Sequence, residues 1–158
     1  MTMDAQRRAE LIARYREGPT ILRAAVAGLD EAGMDHVGES GEWSARQVIH
    51  HVADSEMMSA MRLRRLLAEE NADIQGYDEA EFARALHYDT RPAEPSLQAV
   101  EAARATTADL LDRMSDADWS RSGTHSDTGP YGVERWLEIY ADHCHDHAEQ
   151  ARRASGRA

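Results

Sequence analysis

Apolar residues along this chain recur every three to four positions, and no run of alternating apolar and polar residues is long enough to predict a strand. Ala, Arg, Leu and Glu dominate while β-branched residues are sparse, so the pattern predicts an all-α fold. A first helical stretch runs from about Asp4 to Glu17, is interrupted at Gly18-Pro19 and resumes to about Leu29. The glycine-containing segment Asp30 to Glu42 is predicted to be a loop.

The second helix has the clearest start signal in the sequence. Ser44 and Gln47 fit the S-x-x-Q capping box, and Trp43 and Val48 are placed to form the accompanying hydrophobic staple. The helical pattern then continues to about Glu70 without Gly or Pro. Its apolar positions share one face of the helix: Val48, Val52, Leu63 and Leu66.

The rest of the chain predicts two further long helices. A crossover from about Asn71 to Pro95 contains a short helix around Asp78 to Leu86, and Ser96 is expected to cap the third long helix. A turn-rich loop from Ser120 to Gly132 precedes a fourth helix from about Val133 to Ala154. Four long helices in a single predicted domain that covers the whole chain indicate a four-helix bundle, a common host for metal sites.

Charge and composition exclude several classes of function. The 158 residues carry a formal net charge of −11, which repels phosphate backbones and acidic lipid surfaces, so neither nucleic acid nor a membrane is an expected partner. All 18 basic residues are arginines, and the absence of lysine excludes Schiff-base catalysis and a P-loop. The single cysteine, Cys144, cannot form a disulfide within the chain, and no segment has signal-peptide character. A cytoplasmic protein that acts on a small molecule is expected.

Histidine placement is the main chemical signal. His143 and His147 stand one turn apart on the fourth helix and border its apolar stripe, whereas His145 points away from them. On the second helix, His51 lies nearer the apolar stripe than His50, which is predicted to face solvent. His51, His143 and His147 are therefore candidate metal ligands, and three imidazoles leave coordination positions open for water or substrate.

Three ordered motifs resemble the DinB-like superfamily, and within it the YfiT-like branch that includes the bacillithiol transferases. They are W-S-A-R-Q-V-I-H-H-V-A-D-S-E (Trp43 to Glu56), G-Y-D-E (Gly76 to Glu79) and Y-A-D-H-C-H-D-H (Tyr140 to His147). The resemblance implies a four-helix bundle of up-down-down-up topology. It also implies a divalent ion, nickel or zinc, held by the three histidines named above, and a homodimer.

The resemblance further implies an enzyme that transfers a low-molecular-weight thiol to a small electrophile. We expect the metal to bind the thiol or to activate water, because either ligand is deprotonated more easily on a metal. Two alternatives stay open: a metal-dependent hydrolase, and a metal-binding bundle without catalysis that acts in a stress response.

Four further residues are candidates for a supporting role. Asp54 and Asp146 each stand three residues from a proposed ligand, where a carboxylate could orient an imidazole or form ordinary surface charge. Glu56 falls near an apolar stripe, so it is expected to pair with an arginine or to reach the site. Arg62 follows His51 by three helical turns and is a candidate grip for a substrate anion.

The remaining notable side chains have structural interpretations. We expect Arg64 and Arg65 to form a solvated face balanced by nearby glutamates. Cys144 is expected to be a small buried hydrophobe. Trp43, Trp136 and Tyr140 are expected to be core and staple residues.

Overall fold

The computed structural model describes residues 3–37 and 41–156. Within these ranges the chain forms four long helices, α1 (Ala5–Val26), α3 (Ala45–Ala68), α5 (Ala93–Leu111) and α7 (Val133–Ala154). Shorter elements connect them: α2 (Glu31–Asp35), α4 (Glu79–Ala85), α6 (Asp116–Trp119), β1 (Ala72–Ile74), β2 (Ser122–His125) and β3 (Gly129–Gly132). The predicted four-helix bundle is confirmed, with a small sheet added to it.

Contacts between the long helices give their directions. Arg8 pairs with Glu134 and Arg14 with Asp142, so α1 and α7 run the same way. Hydrogen bonds between α3 and α5 show that these two helices are parallel. Ion pairs between α1 and α5 show that those two are antiparallel. Helix α3 is antiparallel to α7. The order is up-down-down-up, as the family resemblance implies.

Helix α3 begins where its capping signal predicts. The Ser44 side chain accepts from the Gln47 backbone N–H, and the Gln47 side chain accepts in return from the Ser44 N–H. Each bond satisfies a backbone donor that the first helical turn leaves free. All four predicted apolar positions of this helix are fully buried: Val48, Val52, Leu63 and Leu66.

The predicted break at Gly18-Pro19 is wrong, because helix α1 runs without interruption from Ala5 to Val26. Proline has no N–H to donate to the carbonyl four residues earlier, which here is Tyr15. The Arg104 side chain from α5 donates to that carbonyl instead, at 2.6 Å. A bond from another helix thus replaces the missing helical bond.

Two other boundaries differ from the prediction. The predicted loop after α1 contains the short helix α2, which Asp30 caps by accepting a hydrogen bond from the Gly33 N–H. Residues 38–40 of the predicted loop lie outside the described residues. Helix α5 starts after Pro92, so Ser96 lies inside the helix rather than at its cap. The Ser96 hydroxyl instead bonds to His50 of α3.

The segment Ser120–Gly132 is not the predicted loop but contains a hairpin. Strands β2 and β3 pair in antiparallel fashion, and β1 from the crossover pairs parallel to β2. A Cβ at Gly123 would lie 2.1 Å from the Ala72 carbonyl oxygen, so only glycine permits this close approach. The small sheet ties the crossover to the start of α7. No described helix is long and apolar enough to cross a membrane.

The bundle core consists of two apolar clusters. One contains Leu63 and Trp136, and the other contains Val52 and Ala148. Between these levels of α3, the buried Glu56 bonds to a buried arginine of α5. This buried polar layer lies directly beside the candidate metal ligands.

Candidate metal centre

The antiparallel packing of α3 against α7 brings the three predicted histidines together. His51 comes from α3, and His143 and His147 come from successive turns of α7. One potential ligand atom from each lies within 4.8 Å of the other two. The ring centroids are separated by 4.6 to 5.7 Å.

His51 fits a metal ligand for a reason that the bundle itself supplies. Its side chain is only 2% exposed, yet neither ring nitrogen forms a hydrogen bond with any described residue. Buried polar atoms in native proteins almost always have a partner. Burial, together with the neighbouring His147 and His143, lowers the pKa of His51 to about 3, so the ring is neutral and its lone pair is free for a metal.

The other two histidines are oriented by hydrogen bonds at Nδ1. His143 Nδ1 donates to Glu56 Oε1 at 2.9 Å, and His147 Nδ1 donates to Gln150 Oε1 at 2.7 Å. Both bonds place the proton on Nδ1 and leave Nε2 as the lone-pair nitrogen. Burial and the nearby His143 lower the pKa of His147 to about 4, so it too is neutral near neutral pH.

Glu56 links His143 to a buried cation. Its carboxylate is fully buried and accepts from Arg104 at 2.7 Å, and Arg104 is itself 1% exposed. Burial alone would raise the pKa of Glu56, but the guanidinium and His143 hold it well below its usual range. Arg104 also donates to backbone carbonyls of Tyr15 and Tyr140, on α1 and α7. The charge pair therefore fixes one ligand relative to three helices.

A pocket opens beside the histidines and is called the mouth pocket here. Its volume is about 380 Å³, and it is lined by Gly41, Glu42, Trp43, Glu79, His147 and Gln150. The Trp43 ring packs 5.1 Å from the His51 ring, and Glu79 Oε1 lies 4.0 Å from His51 Nε2. A small molecule in this pocket would contact His147 directly.

Comparisons with known proteins place this arrangement in a family. The sequence profile of the DinB superfamily matches residues 14–151. The chain belongs to the DinB superfamily. It is 36% identical over 138 residues to a protein of Oceanobacillus iheyensis, covering 87% of this chain and 80% of that protein. It is 39% identical over 131 residues to a protein of Geobacillus thermodenitrificans, covering 83% and 71%. Both carry the name "putative metal-dependent hydrolase".

Two solved structures share the fold of this DinB-superfamily chain. YfiT from Bacillus subtilis, a four-helix bundle, matches with a TM-score of 0.91 and 29% identity over 99% of this chain and 90% of that chain. A mycothiol-dependent maleylpyruvate isomerase matches with a TM-score of 0.69 and 16% identity over 90% and 59%. At that identity the second match shows the fold alone.

Only one of the four predicted supporting residues of this DinB-superfamily site contacts a proposed ligand, and that residue is Glu56. Asp54 accepts from the Tyr88 hydroxyl, and Asp146 is exposed. Arg62 donates to the Tyr140 hydroxyl at 2.9 Å, and the Tyr140 ring packs 5.5 Å from that of His143. Arg62 therefore reaches the site only through another side chain.

His50 does not face solvent, contrary to the prediction. It is fully buried, accepts from the Ser96 hydroxyl at Nδ1 and donates from Nε2 to the Arg91 carbonyl. Helix α5 and the chain before it cover this face of α3, which the period of α3 alone could not reveal. His50 is a structural histidine with both nitrogens satisfied.

Three further predictions concern α3 and α7. Arg65 pairs with Glu69 as expected, but Arg64 bonds to threonine hydroxyls of α5 rather than to a glutamate. Cys144 is fully buried, and burial raises the pKa of its thiol. A thiolate nucleophile at this position is disfavoured.

Sequence reasoning missed three residues of the site. Glu79 lies in the G-Y-D-E motif, but no function was assigned to this residue from the sequence. Gln150 follows His147 by three residues, the spacing at which helical neighbours meet. Trp43 was expected only in the capping staple, yet its ring also lines the mouth pocket.

Proposed function

We propose that this protein is a metal-dependent enzyme in which His51, His143 and His147 hold one divalent ion, nickel or zinc. The observation that carries the proposal is the buried His51 ring without a hydrogen bond, which faces the imidazoles of His143 and His147 beside a pocket that His147 lines. The names of the relatives from Oceanobacillus iheyensis and Geobacillus thermodenitrificans support metal dependence.

The chain's own residues prepare the site before any substrate arrives. Glu56 and Gln150 hold protons on the Nδ1 atoms of His143 and His147, so each ring presents Nε2 to the ligand position. Arg104 keeps Glu56 ionised, which keeps it an acceptor. Trp43 covers the His51 ring and limits access of water from that side.

The reaction proposed is transfer of a low-molecular-weight thiol to a small electrophile. A divalent ion bound to three imidazoles lowers the pKa of a thiol or water that reaches it, so the same residues suit thiol transfer and hydrolysis. The resemblance to the bacillithiol transferases favours the thiol. The names of the relatives favour hydrolysis, which is the second candidate.

Metal content decides the first part of the proposal. Protein purified without chelator and incubated with nickel or zinc should contain about one ion per chain, and His143→Ala should lose it. His145→Ala is the matched control, because His145 lies on the same helix but bonds to the Arg14 carbonyl. An unchanged ion content in His143→Ala, or no ion in the wild type, would overturn the proposal.

Turnover distinguishes the two reactions. Metal-loaded protein should accelerate the substitution of bromide in monobromobimane by small thiols, which forms a thioether and releases bromide, and His143→Ala should not. Hydrolysis of p-nitrophenyl acetate without any thiol-dependent reaction would favour the hydrolase. Absence of both activities in metal-loaded protein would leave the non-catalytic alternative.

A further inference from the structure

We propose that the mouth pocket selects substrates that carry an ammonium group. The inference rests on the proposed function, since it names the substrate class of the same site. The pocket combines two carboxylates, an aromatic ring and an amide beside His147, and among its described lining residues there is no arginine. Residues 38–40, which adjoin this segment in the sequence, contain no basic residue.

The carboxylates of the mouth pocket lack a cationic partner. Neither Glu42 nor Glu79 forms an ion pair with any arginine that the structure describes, and Glu79 Oε1 lies 4.0 Å from His51 Nε2, beyond hydrogen-bond distance. Most other described arginines are occupied by acidic groups or backbone carbonyls. A cation in the pocket would therefore meet carboxylates that no protein group neutralises.

Trp43 provides the second element of ammonium recognition. It is partly exposed, lines the mouth pocket, and packs its ring against His51. The electron-rich face of an indole attracts cations, and sites for quaternary ammonium groups combine such rings with carboxylates. Trp43 and His147 line the same pocket, so one small molecule bound there can contact both residues.

An anionic substrate is less well matched. The adjacent groove, which shares Trp43, is lined by Arg84 and His87, but Arg84 already pairs with Glu81. Arg62, the predicted anion grip, is held by the Tyr140 hydroxyl and a backbone carbonyl. The side-chain charges that remain available beside the histidines are negative.

The test compares three thiols on nickel-loaded protein by calorimetry: thiocholine, its uncharged isostere 3,3-dimethylbutane-1-thiol, and 2-mercaptoethanesulfonate. The quaternary nitrogen of thiocholine cannot coordinate the metal, and the first two probes have the same shape, so they differ only through the positive charge and its effect on the thiol. We expect thiocholine to bind roughly ten-fold more tightly than the isostere, and the sulfonate most weakly.

Variants assign that preference to the pocket. In protein loaded with nickel to the same content as the wild type, Glu79→Gln should reduce the preference for thiocholine to within about three-fold of the isostere. Glu70→Gln is the control, because it makes the same charge change at an exposed residue beyond the far end of α3. Equal weakening of all three thiols by Glu79→Gln, loss of the metal, or preference for the sulfonate would overturn the inference.

A metal-free measurement separates this inference from the proposed function. If no ion or no thiol binds, the proposed function fails, and tetramethylammonium still tests the pocket. Its titration should shift the Trp43 indole N–H resonance more than sodium chloride does at equal ionic strength, and Glu79→Gln should reduce that shift. No specific shift would overturn the ammonium assignment on its own.

Discussion

Glu56 is the residue on which the buried side of the candidate metal centre depends. Its carboxylate accepts hydrogen bonds from both the His143 ring and the Arg104 guanidinium, in a layer that is buried from solvent. Charges removed from water must be paired, because an unpaired buried ion loses its hydration without compensation. The pair therefore couples the orientation of a proposed ligand to the stability of the bundle.

Replacing Glu56 with Gln should destabilise the protein by about 3–5 kcal/mol, because Arg104 would remain buried without a counter-charge. The free energy of urea unfolding measures the effect. Glu70→Gln should change it by less than about 0.5 kcal/mol, as expected for an exposed side chain. A similarly small change for Glu56→Gln would show that the pair does not stabilise the fold.

The neutral histidines predict how stability of the metal-free protein depends on pH. In the unfolded chain His51 and His147 bind protons below about pH 6.5. In the folded protein their pKa values are about 3 and about 4. Between these folded values and about pH 6.5, the unfolded state therefore binds more protons than the folded state. Unfolding free energy should therefore fall as pH drops from 6.5 toward 5, by up to about 1.4 kcal/mol per pH unit for each histidine.

Urea titrations in the presence of a chelator check this dependence. His51→Leu should show a shallower fall across the same window, since one of the contributing groups is gone. An identical slope in the variant and the wild type would contradict the assignment to His51.

At the scale of elements, α1 shows how one helix depends on another. Pro19 leaves the Tyr15 carbonyl without its helical donor, and Arg104 supplies one from α5. Gly18 makes room for the same guanidinium, because a Cβ there would lie 2.4 Å from its Nη1 atom. Gly18 and Pro19 usually end a helix, but here the Arg104 guanidinium fills the space beside Gly18 and donates to the Tyr15 carbonyl that Pro19 leaves without a donor.

Gly18→Ala should destabilise the protein by about 1–3 kcal/mol, the cost typical of overpacking a core, although Ala favours helices. The added Cβ would also stand 2.8 Å from the Cys144 Cβ, which cannot rotate away. Thermal unfolding measures the change, with Gly33→Ala as the control, since the close contacts of a Cβ there are with the rotatable Leu29 Cδ2 and Asp30 Oδ1, and the Leu29 Cβ lies at 3.6 Å, an ordinary contact distance. Increased stability of Gly18→Ala would refute the packing argument.

At the scale of the whole molecule, the up-down-down-up order determines where the site forms. Antiparallel α3 and α7 bring His51 to the level of His143 and His147, and the crossover carries Glu79 to the same end of the bundle. The small sheet connects that crossover to the hairpin before α7. A metal ion here would join the second and fourth long helices.

Metal binding should therefore stabilise the whole bundle. At a nickel concentration about 100-fold above the dissociation constant, linkage predicts a gain of about 2.7 kcal/mol. The melting temperature of the wild type should rise with nickel, whereas His51→Ala and His143→Ala should show no rise and His145→Ala a normal one. An equal rise in all four proteins would indicate surface binding elsewhere.

The sequence by itself determined the elements whose signals are local. The capping box at Ser44 and the apolar period fixed α3 to within a few residues, and the period of α7 gave its observed bounds, Val133–Ala154. The same period placed His143 and His147 on one face and His51 at the edge of another. These inferences succeed because each depends on residues within a turn or two along the chain.

Only the tertiary structure decided the features that require distant partners. His50 is buried because α5 covers it, and α1 continues through Pro19 because Arg104 donates to its carbonyl. The strands have only three or four residues each, too few for a periodic pattern, and β1 forms by pairing with β2, about 50 residues further along the chain. The sequence did not indicate which arginine pairs with Glu56, and helix packing places Arg104 beside it. Glu79 lies near His51 only because the crossover returns to this end of the bundle. Such contacts follow from how helices pack, which local periodicity does not encode.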